Sequence, residues 1–202
     1  MSVVTVLLTV IALLAPTGLA RGASLGVDAC TSLLQDGGFE QGGQPWTTSS
    51  SGGYDIVSPF MTHSGAQAAY LAGYNNAVDQ VAQTVQLPAG QTITLQVWWY
   101  MSTTEVSHSW DSLAISAESA GVASQTLLRV DDGAPADGWH VAEVDLSGYA
   151  GKQMRLVIVA SSDDSNATSF FVDDVEITAC PAGAGGGLDE HRYLPFIGRA
   201  GA

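Results

Sequence analysis

Three side chains suited to binding a sugar stand on alternate positions of one apolar segment. In residues 92–101, the indole of Trp98 lies between Gln96 and Tyr100 at a spacing of two. Alternate side chains of a β-strand point to the same face, so an apolar ring would stand beside polar groups. Sugar rings stack on such a platform and their hydroxyls bind the polar groups. The segment therefore predicts a carbohydrate-binding face; the alternative is a face covered by a loop such as residues 103–110.

Catalytic motifs are not found in the sequence. There is no HExxH, no GxSxG, no glycine-rich phosphate loop and no cysteine–histidine nucleophile arrangement. Acidic pairs occur at residues 131–132 and 163–164, but both lie in polar turn segments, where carboxylates are ordinarily solvated. The histidines do not cluster along the chain: His63, His108, His140 and His191. We therefore predict a binding protein rather than an enzyme.

The elements that must position these residues follow a period of two. Residues 92–101 place one apolar set on the face opposite Trp98: Leu95, Val97, Trp99 and Met101. Similar alternation appears around residues 81–87, 154–159 and 171–177. The last of these predicts a shared inward face for four residues: Phe171, Asp173, Val175 and Ile177. Glycine- and proline-rich turns separate the segments, and no long helical period occurs, which predicts an all-β sandwich of antiparallel sheets.

Composition and net charge indicate the type of domain and the classes of partner that are expected. The 202 residues include 46% hydrophobic residues and 23 glycines, which favours one turn-rich β domain with a substantial core. The 20 acidic residues against 6 basic ones give a formal net charge of −14. Such a surface repels phosphate backbones, so nucleic acids and anionic membranes are excluded as expected partners.

The two ends of the chain differ from its body. Residues 3–15 are almost entirely apolar and are followed by Pro16, as in a secretory signal peptide. Small residues predict cleavage after Ala20, or alternatively after Ala23, although no Lys or Arg precedes the apolar run; retention as a membrane anchor is the alternative. After Cys180 the sequence is rich in glycine. We predict a signal peptide at 1–23, a β-sandwich at 28–180, and a linker with a flexible tail at 181–202.

The two cysteines fit an exported protein. Cys30 follows the signal segment and Cys180 follows the last apolar strand. A disulfide between them would close a loop of roughly 150 residues and stabilise the fold by about 5 kcal/mol in the chain-entropy model. It also requires both ends of the domain to meet in space. Two unrelated free thiols are the alternative.

Several short motifs resemble one group of secreted modules. Residues 34–40, reading LQDGGFE, resemble the NGGFE opening of bacterial galactose-binding-like jelly rolls, including carbohydrate-binding modules of the family 4/9 type. The ending, residues 171–175 with Cys180 shortly after, also resembles MAM domains of adhesion proteins. Matching motifs keep this order over residues 33–180. The resemblance implies a jelly-roll β-sandwich of two sheets.

The resemblance also implies a structural calcium ion. Its ligands would be Glu40 of the opening motif and Asp173 of the closing Asp-Asp pair, with Asp36 and neighbouring backbone oxygens completing the shell. Calcium takes six to eight oxygen ligands of this kind, and a carboxylate on an inward face would be costly without a partner. The alternative is that Asp173 caps a turn by hydrogen bonds while Glu40 is solvated.

These observations predict a secreted or cell-surface, non-catalytic module, with no membrane span in the mature chain. Its expected ligand is an extracellular carbohydrate bound at Gln96, Trp98 and Tyr100. Two other functions are compatible with the same residues: a MAM-like adhesion protein that binds surface proteins, and an accessory domain of a secreted hydrolase.

Overall fold

The computed structural model describes residues 30–106, 109–120 and 122–181. The predicted signal peptide lies outside these residues, as does the predicted C-terminal tail beyond Pro181. Eleven strands follow one another along the chain: β1 (Thr31–Ser32), β2 (Thr47–Ser50), β3 (Val57–Ser58), β4 (Ala68–Ala72), β5 (Val78–Gln86), β6 (Gln91–Ser102), β7 (Ser112–Ser119), β8 (Val122–Asp131), β9 (His140–Asp145), β10 (Gln153–Ser161) and β11 (Ser169–Pro181).

The strands form two antiparallel sheets. Sheet A has the order β3-β4-β11-β6-β9, with β1 added to β11, and sheet B has the order β2-β5-β10-β7-β8. A short 3-10 helix at Ser147–Tyr149 precedes β10. The predicted all-β jelly-roll sandwich is thereby confirmed. No helix in the described part of the chain is long and apolar enough to cross a bilayer.

The core lies between the sheets and is built by the alternation read from the sequence. On β6, Leu95 and Met101 are fully buried, and on β10 Leu156 is too. The polar Gln83 of β5 also points inward. Its amide exchanges hydrogen bonds of 2.8 and 2.9 Å with the backbone of Gln35, which satisfies a group that would otherwise cost free energy to bury.

A disulfide joins the two ends of the domain, as predicted. Cys30 and Cys180 are bonded across 150 residues of sequence. The short strand β1 pairs with β11 directly beside the bond, with Thr31 opposite Ala179. The first and last described segments are therefore fixed side by side at one edge of sheet A.

The opening motif packs closely against the last strand. Val175 donates a backbone hydrogen bond of 3.0 Å to the carbonyl of Gly37. A Cβ atom at Gly37 would overlap the carbonyl oxygen of Val175, so only glycine permits this approach. Phe39 is fully buried and its ring lies 5.2 Å from that of Trp46, which anchors the turn in the core.

Candidate functional site

The three residues predicted to bind sugar share the outer face of sheet A, on β6. Gln96, Trp98 and Tyr100 are each half-buried. Strand β9 lies on one side of β6 and pairs Gln96 with Glu143, and strand β11 lies on the other side and pairs Tyr100 with Phe171. The alternation of β6 therefore places these side chains together, on an interior strand of the sheet rather than on an edge strand.

A β-bulge in β11 changes which side chains join this face. Trp98 pairs with Asp173, but Gln96 pairs with Glu176, so β11 has one extra residue between these pairs. Asp174, in the bulge, has a φ of 44°. A bulge of this kind reverses the alternation beyond it.

The prediction that four residues of β11 share an inward face is consequently wrong. Val175 and Ile177 do point into the core. Phe171 and Asp173, before the bulge, share the outer face with Tyr100 and Trp98. Asp173 is nonetheless fully buried, because the β3–β4 loop, residues 59–67, covers it.

Aromatic rings form a continuous band on the outer face of sheet A. We call the five rings Phe60, Tyr70, Phe171, Tyr100 and Trp139 the aromatic strip. Tyr70 stacks on Phe171 at 4.9 Å, with 9° between the rings. Phe60 meets Tyr70, Tyr100 meets Phe171, and Trp139 meets Tyr100, each with centroids 5.9 Å apart. The strip thus crosses β4, β11 and β6, and it ends in the loop before β9.

Only part of this strip was visible in the sequence. Tyr70 and Phe171 lie opposite each other on the paired strands β4 and β11. These two strands are far apart in the sequence, so local patterns do not predict their pairing. Phe60 and Trp139 lie in loops, where no periodicity marks a face. The signal available in the sequence was the alternation within β4, which puts Tyr70 on one face of the strand and the buried Ala69 and Leu71 on the other.

Trp98 is covered by a histidine. The ring of His63 stacks on Trp98 at 3.8 Å with 17° between the planes, and its edge meets Trp139 at 5.5 Å. Nδ1 of His63 lies 2.6 Å from a carboxylate oxygen of Asp174. This cover therefore comes from the β3–β4 loop, and the open part of the platform lies toward Tyr70 and Phe60.

Charge is unequally distributed between the two sheets. No Lys or Arg occurs in any strand of sheet A, whereas Glu143 and Glu176 are exposed on its outer face. All basic residues of the described ranges belong to sheet B or its connections: Arg129, Lys152 and Arg155. Oxygen acceptors around the aromatic strip therefore include carboxylates, and Gln96 donates to one of them, on Glu143, at 3.1 Å.

Of the predicted metal ligands, Glu40 and Asp173 both lie beside Gly38, but the oxygens of Glu40, Asp173 and Asp36 do not all lie within 4.8 Å of one another. Their carboxylates accept backbone hydrogen bonds. Oε1 of Glu40 accepts N–H groups of Ala66 and Gln67 at 2.8 and 2.9 Å. Asp36 accepts the N–H of Gln41 through its carboxylate. Its backbone carbonyl accepts the indole N–H of Trp46 at 2.8 Å. The alternative to calcium expects Glu40 to be solvated; Glu40 is exposed, but its carboxylate also accepts these two backbone N–H groups.

Asp173 is the most constrained of these acids. Its Oδ2 accepts the N–H groups of His63 and Ser64, and its Oδ1 accepts that of Asp174. Burial raises the pKa of Asp173 above its usual value, and the three hydrogen bonds oppose this rise in pKa. The ionised form is therefore less favourable than it is in water, and a cation beside it would stabilise it.

Comparison with known proteins identifies both a family and a fold. The profile of the MAM domain, meprin/A5/mu, matches residues 35–181. No curated protein matches the sequence significantly. A family 61 carbohydrate-binding module, TmCBM61, solved with β-1,4-galactotriose, is 18% identical, with a TM-score of 0.57 over 73% of this chain and 97% of the module.

A second similar structure is the K3 cleaved adhesin domain of Lys-gingipain from Porphyromonas gingivalis. It is 19% identical, with a TM-score of 0.51 over 72% of this chain and 99% of that domain. At such low identity both structures establish the shared jelly-roll fold alone.

Proposed function

This chain belongs to the MAM domain family, and we propose that it is a secreted, non-catalytic module that binds an uncharged extracellular glycan on the outer face of sheet A. The aromatic strip is the observation that carries the proposal. Its rings cross three paired strands and are bordered by amide and carboxylate groups. The carbohydrate-binding module with the same fold, solved with a galactotriose, supports a ligand of this class.

The distribution of charge supports a neutral ligand. The outer face of sheet A carries Glu143 and Glu176 and no basic side chain in its strands. A uronic acid or sulfated sugar would meet repulsion there and find no guanidinium to pair with. Neutral hydroxyls, in contrast, donate well to carboxylate oxygens.

The exposure of the rings supports a ligand at one end of the strip. Phe60 is 76% exposed, and Tyr70 and Tyr100 are half-buried with their rings packed on Phe171. Trp98 is covered by His63. We therefore locate the sugar platform at Tyr70 and Phe60 and continue it through Tyr100.

We also propose that a structural calcium ion is held between the opening motif and the bulge of β11. Glu40, Asp173 and Asp174 offer only oxygen atoms, as calcium prefers, but these oxygens do not all lie within 4.8 Å of one another, so an ion held by all three would have to draw them together. Gly38 leaves space beside them, because a Cβ atom there would lie 3.6 Å from Oδ1 of Asp174 and 3.8 Å from Oδ1 of Asp173. When bound, the ion would neutralise these carboxylates. It would thereby fix the loop that carries His63 and Phe60.

A binding screen with matched variants tests the glycan proposal. We expect wild type to be retained by at least one neutral polysaccharide in an affinity gel. Tyr70→Ala and Phe60→Ala should bind about tenfold more weakly, because each variant loses one stacking contact of about 1.4 kcal/mol. Tyr54→Ala is the control, because Tyr54 is 64% exposed and contacts Tyr74 outside the strip. Equal retention of all four proteins, or retention of none, would contradict the proposal.

A protein partner is the second candidate function. Phe60 and the neighbouring Met61 are both exposed, the latter by 38%, and exposed apolar side chains of this kind occur in protein interfaces. In that case the module acts in adhesion. It would bind no polysaccharide in the screen, and Phe60→Ala would instead weaken attachment of the protein to cells.

A further inference from the structure

We propose that Trp98 is a further subsite for the glycan and that the side chain of His63 closes this subsite until a ligand displaces it. This inference rests on the proposed function, since it lengthens the platform of the aromatic strip by one indole. The imidazole of His63 stacks on the indole at 3.8 Å, with 17° between the planes. A sugar ring would stack on the same face of the indole. His63 therefore occupies the position that a sugar would take on Trp98.

His63 also makes the polar contact that a sugar hydroxyl would make. Its Nδ1 lies 2.6 Å from Oδ2 of Asp174. Once the imidazole has left, a ligand hydroxyl would donate to the same carboxylate oxygen. The other oxygen of Asp174, Oδ1, accepts the hydroxyl of Ser64 at 2.9 Å. One side chain thus covers both a stacking surface and a hydrogen-bond acceptor that a neutral sugar can use.

The imidazole can leave without a movement of the loop backbone. The N–H groups of His63 and Ser64 donate to Oδ2 of Asp173 at 2.8 and 3.1 Å, which fixes the main chain at this point. The side chains of His63 and Asp174 are 27% and 32% exposed, and partly exposed contacts of this kind contribute little to stability. Rotation of one side chain away from the sheet therefore uncovers the indole and leaves Phe60 in place.

The uncovered indole would be continuous with the aromatic strip. Trp98 lies two residues before Tyr100 on β6, and both side chains belong to the outer face. Trp139 meets Tyr100 at 5.9 Å and the edge of His63 at 5.5 Å, so it borders the position that His63 now fills. Tyr70 lies across β11 from this position. A ligand that reaches both ends must therefore contain more than one sugar ring.

Titration calorimetry with neutral oligosaccharides tests this subsite. The probes are β-1,4-galactotriose, cellohexaose and xylohexaose, at one pH and one calcium concentration. His63→Ala should bind a probe about tenfold more tightly than wild type, because the sugar no longer has to displace a stacked ring. Adding Trp98→Ala to His63→Ala should abolish this gain. Ser64→Ala is the matched control, because it also loses a side-chain contact to Asp174 but leaves the indole covered, and it should bind as wild type does.

Hydroxyl-radical footprinting, read by mass spectrometry, gives a second readout that needs no ligand. Oxidation of Trp98 should be faster in His63→Ala than in wild type and unchanged in Ser64→Ala. Trp46, which is buried in the core, is the internal reference for an intact fold. Equal oxidation of Trp98 in all three proteins would overturn the role of His63 as its cover.

The calorimetry separates this inference from the glycan proposal. If His63→Ala binds a probe no more tightly than wild type, the closed subsite is wrong, while the aromatic strip remains the glycan site. If neither wild type nor His63→Ala binds any probe, both the glycan proposal and this subsite are overturned.

Discussion

Removal of the disulfide should reveal how much of the stability depends on joining the two ends of the domain. The bond between Cys30 and Cys180 closes a loop whose ends are 150 residues apart. In the chain-entropy model such a loop stabilises the fold by about 5 kcal/mol, because the cross-link restricts the unfolded chain. For a domain of this size, that corresponds to a fall of roughly 10–20 °C in melting temperature.

The experiment compares wild type with the Cys30→Ala/Cys180→Ala protein in urea and by thermal melting. The double variant should still fold at low temperature, because β1 keeps its pairing with β11 beside the lost bond and the core between the sheets does not include either sulfur. Wild type treated with a reducing agent should have the same melting temperature as the variant. A loss of less than about 1 kcal/mol would refute the argument, since the unfolded chain would then be restricted by something other than the cross-link.

Three further predictions concern the opening motif, the bulge and export. Gly37→Ala should destabilise the domain by more than about 2 kcal/mol in chemical denaturation, because its Cβ would overlap the backbone of Val175, whereas Gly148→Ala, whose Cβ meets nothing within 4 Å, should be nearly neutral. In chelator, the raised pKa of Asp173 favours the folded state below the ordinary aspartate value of about 4, and that contribution is lost as pH rises through the folded-state pKa. The free energy of unfolding of wild type relative to Asp173→Asn should therefore fall with rising pH. Added calcium should reverse this pH dependence. The same pH dependence in both proteins would contradict the raised pKa of Asp173. The chain recovered from the medium of an expressing cell should begin at Arg21 or Ser24 by mass spectrometry, and an uncleaved N-terminus would favour the anchor.

The fold could be predicted from the sequence because its signals are local. Alternation within β6 and β10 fixed which side chains face the core, since a strand has a period of two wherever it lies. The disulfide could also be predicted from the sequence, because only two cysteines occur and they flank the strand-rich body. The order of short motifs from residue 34 to Cys180 pointed to the family that the profile match establishes.

The site itself was predicted only in part. Gln96, Trp98 and Tyr100 lie on one face as expected, but His63 covers Trp98 from a loop more than thirty residues earlier in the chain. The aromatic strip combines residues of three paired strands with residues of two loops. The polar turn segments predict solvated acids at 131–132 and 163–164, whereas Asp132 is buried and Asp163 lies close to Glu105 and Asp111. Calcium binding and export remain predictions.

The amino-acid sequence alone determined that this chain forms a β-sandwich with its ends joined and with a negative surface, because composition, alternation and cysteine number act within a segment or on the whole chain. Tertiary structure alone decided the face to which Asp173 belongs, since one extra residue opposite β6 reverses the alternation of β11. It also decided which carboxylates meet and which ring stays open. Those outcomes depend on distances between segments far apart in sequence, which no local pattern encodes.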